Sequence, residues 1–110
     1  LVLPTFYREG LPRCIQESLA VGRPVITTKH AGCSGIIINK LNGFIVGSKN
    51  TRELSNAIEW FITNSYKFDQ LSLNCRKTAE VYFNCTHSDF TIMKNLKYVL
   101  KLNDKYFKIY

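Results

Sequence analysis

Two carboxylates, Glu9 and Glu17, lie on either side of a glycine-containing loop and could contact the same ligand. Glu9 stands in the loop, and Glu17 follows eight residues later, within a predicted helix. A carboxylate only accepts hydrogen bonds, so it repels a phosphate and binds a pair of neighbouring hydroxyls well. The two side chains therefore indicate a ligand that carries hydroxyl pairs.

The backbone between the two carboxylates is suited to an anion. Gly10, Leu11 and Arg13 lead into the predicted helix, and their amides are expected to have no partner within it. Such amides, together with the positive end of the helix dipole, favour a phosphate. The loop is thus typical of a site for a phosphate-linked sugar. The alternative is that Glu9 is solvated and Glu17 faces water or pairs with Arg13, four residues before it.

The elements around the loop follow a βαβ pattern. The sequence predicts a buried interior strand over residues 1–3, a helix over 13–21 ended by Gly22, and a buried β-branched strand over 24–28. Short joints between these elements imply parallel strands with a right-handed crossover. The loop then lies at the carboxyl end of a strand, where open α/β sheets bind their ligands.

The rest of the chain is predicted to be mostly helical. Residues 36–38 fit either a short strand or a helical turn, and the turn signal Asn42-Gly43 precedes a third strand at 44–46. Helices are predicted from about Thr51, over about 66–83, and from near Ser88. The expected fold class is α/β, a partial Rossmann-like parallel sheet of about three short strands with flanking helices and a helical C-terminal tail.

This pattern divides a single partial domain, residues 1–110, into three parts. They are a βαβ part at 1–50, a helical part at 51–102 and a basic tail at 103–110. A chain of 110 residues suffices for one small domain, and 45% hydrophobic with 21% charged residues is a globular composition.

Composition also narrows the functional classes. No apolar run is long enough to span a membrane, and the start of the chain does not resemble a signal peptide. The net charge of +7 favours an anionic partner, but without a dense basic run we expect no nucleic acid. No metal site is expected because no two cysteines are spaced as C-x-x-C; the cysteines are Cys14, Cys33, Cys75 and Cys85.

The segment from Leu3-Pro4-Thr5 to Val25-Ile26, with Glu9-x7-Glu17 inside it, resembles the retaining glycosyltransferases of family 4, within the glycosyl transferases group 1. These enzymes have the GT-B architecture of two Rossmann-like domains. The similarity continues through Gly32-Cys33 and residues 42–46. The resemblance implies that the chain is a C-terminal domain portion of such an enzyme.

The resemblance also assigns roles to the residues of the loop. It implies that Glu9 contacts hydroxyls of the donor sugar and is the catalytic candidate, and that Glu17 holds the ribose diol. Gly10 and Leu11 correspond to the amides that face the diphosphate, and Pro12 belongs to the same donor-binding set. Neither a metal nor a cofactor is implied beyond the nucleotide-diphospho-sugar that serves as donor substrate.

The implied function is transfer of a sugar, with retention, from a nucleotide-diphospho-sugar to a glycan or lipid-linked acceptor. The implied location is the cytoplasm, with peripheral contact to the inner face of the membrane. In the family, the acceptor domain and the basic residues that clamp the diphosphate lie upstream of residue 1. Because a single Rossmann-like half cannot supply the acceptor site, we expect little or no transferase activity from the 110-residue chain alone. The alternative is a non-enzymatic module that binds a nucleotide or a protein partner.

Overall fold

The computed structural model describes residues 1–7, 10–29, 32–33 and 35–84, which form a three-stranded parallel sheet with flanking helices. The elements are β1 (Val2–Leu3), α1 (Arg13–Ala20), β2 (Val25–Thr28), β3 (Gly43–Val46), α2 (Thr51–Thr63), a 3-10 turn (Ser65–Lys67) and α3 (Phe68–Tyr82). The spatial order β1-β2-β3 follows the chain, with Val2 opposite Ile26 and Ile26 opposite Phe44. The predicted α/β fold class is confirmed.

The central strand β2 joins two hydrophobic cores. Its four residues are all buried, and successive side chains of a strand point to opposite faces of the sheet. Val25 packs with Leu19 of α1 and Cys75 of α3 on one face. Ile26 packs with Ala57 of α2 on the other. The sheet is therefore covered by α1 and α3 on one side and by α2 on the other.

The first strand differs from the prediction. Leu1 and Val2 expose 44% and 47% of their surface, whereas a buried interior strand was expected. The reason is that, within the residues described, β1 has a neighbour on one side only, β2. The helix predicted over 13–21 ends at Ala20, and Gly22 has the positive φ, 73°, that suits a residue just after a helix.

Residues 36–38 form a turn, which decides between the two predicted alternatives. The amides of Ile36 and Ile37 both donate to the carbonyl of Cys33. The predicted helix from near Ser88 and the basic tail at 103–110 lie outside the residues that the structure describes. No helix in the described part of the chain is long and apolar enough to cross a membrane.

Asn42 links the turn before β3 to α3 from a fully buried position. Its Oδ1 accepts from the Ile38 amide at 2.8 Å, and its Nδ2 donates to the Ile36 carbonyl at 2.8 Å and to Thr78 Oγ1 at 3.0 Å. The Cys75 thiol donates to the Asn42 carbonyl at 3.5 Å. Burial raises the pKa of Cys75 to about 11, so this thiol keeps its proton at neutral pH.

We predict that Asn42→Ala lowers the free energy of unfolding by about 2–4 kcal/mol, because it removes the three hydrogen bonds made by a fully buried side-chain amide. Urea denaturation of the chain measures this loss. The control is Asn39→Ala, which removes an exposed hydrogen bond to the Ile45 amide and should cost about 1 kcal/mol or less. Equal losses for the two variants would contradict the assigned role of Asn42.

Candidate functional site

The start of α1 follows directly on the loop that carries the predicted site. Pro12 is extended, at φ −61° and ψ 136°, and immediately precedes the first helical residue, Arg13. No side chain caps this end of the helix. In the described part of the chain, the amides of Gly10, Leu11 and Arg13 donate no hydrogen bond. They are available to a ligand, and the helix dipole favours an anion there.

A second loop, which follows β2, packs against this one at Gly32. A Cβ placed on Gly32 would overlap the Gly10 carbonyl and lie 2.5 Å from the Leu11 nitrogen, closer than real side chains come to a backbone atom. Only glycine therefore lets this second loop support the peptide that joins Gly10 to Leu11. This role of Gly32 was not predicted from the sequence. The available signal was a glycine shortly after a buried strand, at the same edge of the sheet.

Two threonines at the end of β2 hold the chain that leads from β1 into the loop. Thr27 Oγ1 donates to the Leu3 carbonyl at 3.1 Å, and Thr28 Oγ1 donates to the Thr5 carbonyl. Both threonines are buried, so these bonds satisfy hydroxyls that have no access to water. The loop is thus anchored to the central strand before it reaches α1.

Glu17 is exposed on α1 and lines a cavity of about 500 Å³ between α1 and α3. Arg76 of α3 closes one side of this cavity. Its Nη1 donates to the Ala20 carbonyl at 2.9 Å, and its Nε pairs with Glu80 at 2.8 Å. The remaining lining residues are Gln16, Ala79, Phe83 and Asn84.

The alternative in which Glu17 pairs with Arg13 is wrong for this structure. Among the residues described, the single ion pair joins Arg76 to Glu80. The Glu17 carboxylate makes no hydrogen bond within the same part of the chain. It is thus free to accept from the hydroxyls of a ligand.

Of the predicted site residues, the structure describes Gly10, Leu11, Pro12 and Glu17, and Glu9 lies outside the described residues. The four that are described belong to one segment, at the end of the loop and along α1. No cluster of three or more His, Cys, Asp or Glu side chains within the described residues could hold a metal ion. This segment can bind an anion through its backbone amides, and it can bind the hydroxyl groups of a ligand through the Glu17 carboxylate.

The parallel sheet, with the loop before α1 at the carboxyl end of β1, defines a Rossmann-like α/β class of fold. The family model described as "Glycosyl transferases group 1" matches residues 1–81. The chain belongs to this family, as the sequence analysis predicted.

Two curated relatives show how much of such an enzyme the chain represents. The Campylobacter jejuni N,N'-diacetylbacillosaminyl-diphospho-undecaprenol alpha-1,3-N-acetylgalactosaminyltransferase is 32% identical over 78 residues, 71% of this chain and 19% of that protein. The Staphylococcus aureus capsular polysaccharide biosynthesis glycosyltransferase CapM is 32% identical over 83 residues, 76% of this chain and 22% of that protein. The chain spans about a fifth of the length of these relatives.

Solved structures show the same fold. The chain is similar to HepE of Anabaena, solved in complex with UDP, with a TM-score of 0.79 and 24% sequence identity. The match covers 86% of this chain and 27% of that one. The fold is therefore that of part of a GT-B glycosyltransferase, as predicted, whereas retention of configuration and membership of family 4 stay predictions.

We predict that Gly32→Ala displaces the Gly10–Leu11 peptide and lowers the free energy of unfolding by about 1–3 kcal/mol, because the new methyl group has no room against backbone. Amide NMR shifts of Gly10 and Leu11 report the displacement, and thermal unfolding reports the stability. Gly10→Ala is the control for the stability measurement, since its new Cβ would meet nothing within 4 Å. If Gly32→Ala left both the shifts and the stability as they are, the packing of the two loops would not matter.

Proposed function

We propose that this chain is the donor-binding part of an enzyme that transfers a sugar from a nucleotide-diphospho-sugar. One observation carries the proposal: free amides at the uncapped start of α1 lie in the same segment as the unpaired carboxylate of Glu17. Membership of the glycosyl transferases group 1 supports it. So do the complexes of HepE with UDP and with UDP-glucose.

In this proposal the amides of Gly10 and Leu11 receive the diphosphate, and Pro12 fixes the backbone between them and the helix. Glu17 then accepts hydrogen bonds from the two ribose hydroxyls. Four helical steps from Arg13 to Glu17 correspond to about 6 Å along the axis, a distance that a ribose beside a bound diphosphate can reach. Glu9 is assigned to the hydroxyls of the transferred sugar.

The same amides have a chemical role once the sugar leaves. Breaking the bond between the sugar and the diphosphate places additional negative charge on the leaving phosphate. Backbone amides and a helix dipole that already point at this charge stabilise it without rearranging. The reaction is proposed to proceed with retention and without a metal, as the family resemblance implies.

The acceptor is proposed to be a glycan or a lipid-linked glycan. The name of CapM, which refers to capsular polysaccharide biosynthesis, supports the first, and the undecaprenol-linked acceptor in the name of the Campylobacter jejuni enzyme supports the second. The expected cytoplasmic location and the contact with a membrane surface stay predictions. Transfer itself is assigned to a longer enzyme of which this chain is the donor-binding part.

We predict that UDP shifts the amide NMR signals of Gly10 and Leu11, and that Glu17→Ala weakens UDP binding about tenfold because it removes charge-assisted bonds to the ribose. Titration of the 110-residue chain measures both effects. Glu59→Ala, which removes the same charge from an exposed site on α2, is the control and should bind UDP as before.

A second nucleotide sharpens this test. With 2′-deoxy-UDP, the loss caused by Glu17→Ala should shrink, because one of its two hydroxyl partners is absent. The donor site would be refuted by a UDP titration that leaves Gly10 and Leu11 unmoved. If Glu17→Ala lowered the affinity for both nucleotides equally, Glu17 would not act by binding the ribose.

A further inference from the structure

A second, smaller cavity of about 220 Å³ lies at the carboxyl ends of all three strands. Phe6 follows β1, Thr28 ends β2, and the turn 47–50 follows β3, and each contributes to its lining. Gly10, Leu11 and Glu17 do not line this cavity. Parallel strands bring these three segments together because their carboxyl ends meet at one edge of the sheet.

The wall of this cavity contains an exposed aromatic ring with a cation on it. Phe6 exposes 61% of its surface, and the ammonium of Lys49 lies 4.2 Å from the centre of its ring. Lys49 has no carboxylate partner among the residues described. An exposed flat ring and an ammonium without a carboxylate partner, together in one small cavity, suit a ligand that has an apolar face and a negative charge.

Lys49 is held in this position by an unusual backbone. Its φ of 58° lies in the left-handed region, which is unfavourable for a residue with a side chain. Hydrogen bonds on both sides fix the turn: the Asn50 amide donates to the Gly47 carbonyl at 3.2 Å, and the Gly47 amide donates to Glu53 Oε2 at 2.6 Å. Lys49 therefore extends from a hydrogen-bonded turn, and its side chain reaches the Phe6 ring from there.

We propose that this cavity binds a sugar ring that carries an anionic group. The C–H face of the sugar stacks on the Phe6 ring in place of the Lys49 ammonium, which moves aside on its flexible side chain to pair with the anionic group. The exposed side chains of Ser48 and Thr51 line the same cavity and can bond to ring hydroxyls. The choice of a sugar rests on the proposed function, to which it adds a second sugar site, suited to an acidic residue of the acceptor.

The test is an NMR titration of the 110-residue chain, without nucleotide, using methyl glucuronide as the probe. We expect the Phe6 ring signals and the Lys49 amide to shift. Phe6→Ala should abolish the response, and it should leave the fold intact because most of that side chain is exposed. Lys49→Gly should weaken binding by roughly fivefold, as should replacing the probe by neutral methyl glucoside. Glycine suits the positive φ, so this loss would not reflect unfolding.

A second exposed aromatic residue, outside this cavity, provides a matched control. Tyr66 is also exposed and has an ammonium beside it, that of Lys67, 5.3 Å from its ring centre, but it does not line this cavity. Tyr66→Ala should leave binding unchanged. The proposal is overturned if the probe moves nothing at Phe6, if the response survives Phe6→Ala, or if the glucoside binds as well as the glucuronide. Inorganic phosphate that reproduces the whole response would also overturn it.

The two proposed sites fail separately. If UDP shifts the amide signals of Gly10 and Leu11 but the glucuronide does not shift the signals of Phe6, only the second sugar site is overturned. If the glucuronide shifts its signals but UDP does not, the proposed donor site is overturned and the anionic-sugar site at the strand ends is supported. The two titrations use different ligands and different signals, so each outcome is read on its own.

Discussion

The arrangement of the whole carboxyl edge depends on the burial of β2 between its two parallel neighbours. β1 has only two residues, too few for a ladder of backbone hydrogen bonds to hold it alone. The hydroxyls of Thr27 and Thr28 add bonds to the carbonyls of Leu3 and Thr5. Because threonine is β-branched, it also suits a buried strand, so the same residues build β2 and attach to it the chain that leads from β1 towards α1.

The loops beyond the strands are positioned by contact with one another. The missing side chain of Gly32 lets the loop after β2 lie directly against the peptide between Gly10 and Leu11. Close packing of this kind permits few alternative arrangements, so the amides are set before a ligand arrives. Preset dipoles are what a leaving phosphate requires, since dipoles that must first reorient lose part of their effect. Packing and chemistry are therefore linked through one glycine.

Much of the fold could be predicted because it depends on local patterns. Apolar spacing indicates the helices, and the β-branched run at 24–28 indicates the central strand. The exposure of Val2 could not be predicted, because burial depends on which strands lie beside it and not on its own sequence. The three isoleucines at 36–38 fit a strand as well as a turn. The buried Asn42 side chain stabilises the turn by bonding to both ends of that segment.

Part of the candidate site can be proposed from local sequence alone. Gly10, Leu11 and Glu17 are close in the sequence, so the chemistry of a helix start and the spacing of a carboxylate suggest roles for them, and these roles stay predictions. The contact of Gly32 with Gly10 and that of Lys49 with Phe6 join residues far apart in the chain. No local pattern encodes such pairs, and only the meeting of three strand ends brings them together.

The meeting of the three strand ends limits how far apart the two proposed sugar-binding regions can be. Phe6 and Gly10 are separated by four residues, which even when fully extended span at most about 14 Å. A sugar on Phe6 and a diphosphate at the Gly10 amide are therefore neighbours whatever path the chain takes between them. Glu9, assigned to the donor sugar, lies within this short connection. An acidic acceptor residue bound at Phe6 would thus lie within reach of the sugar to be transferred, because one short segment carries both binding surfaces.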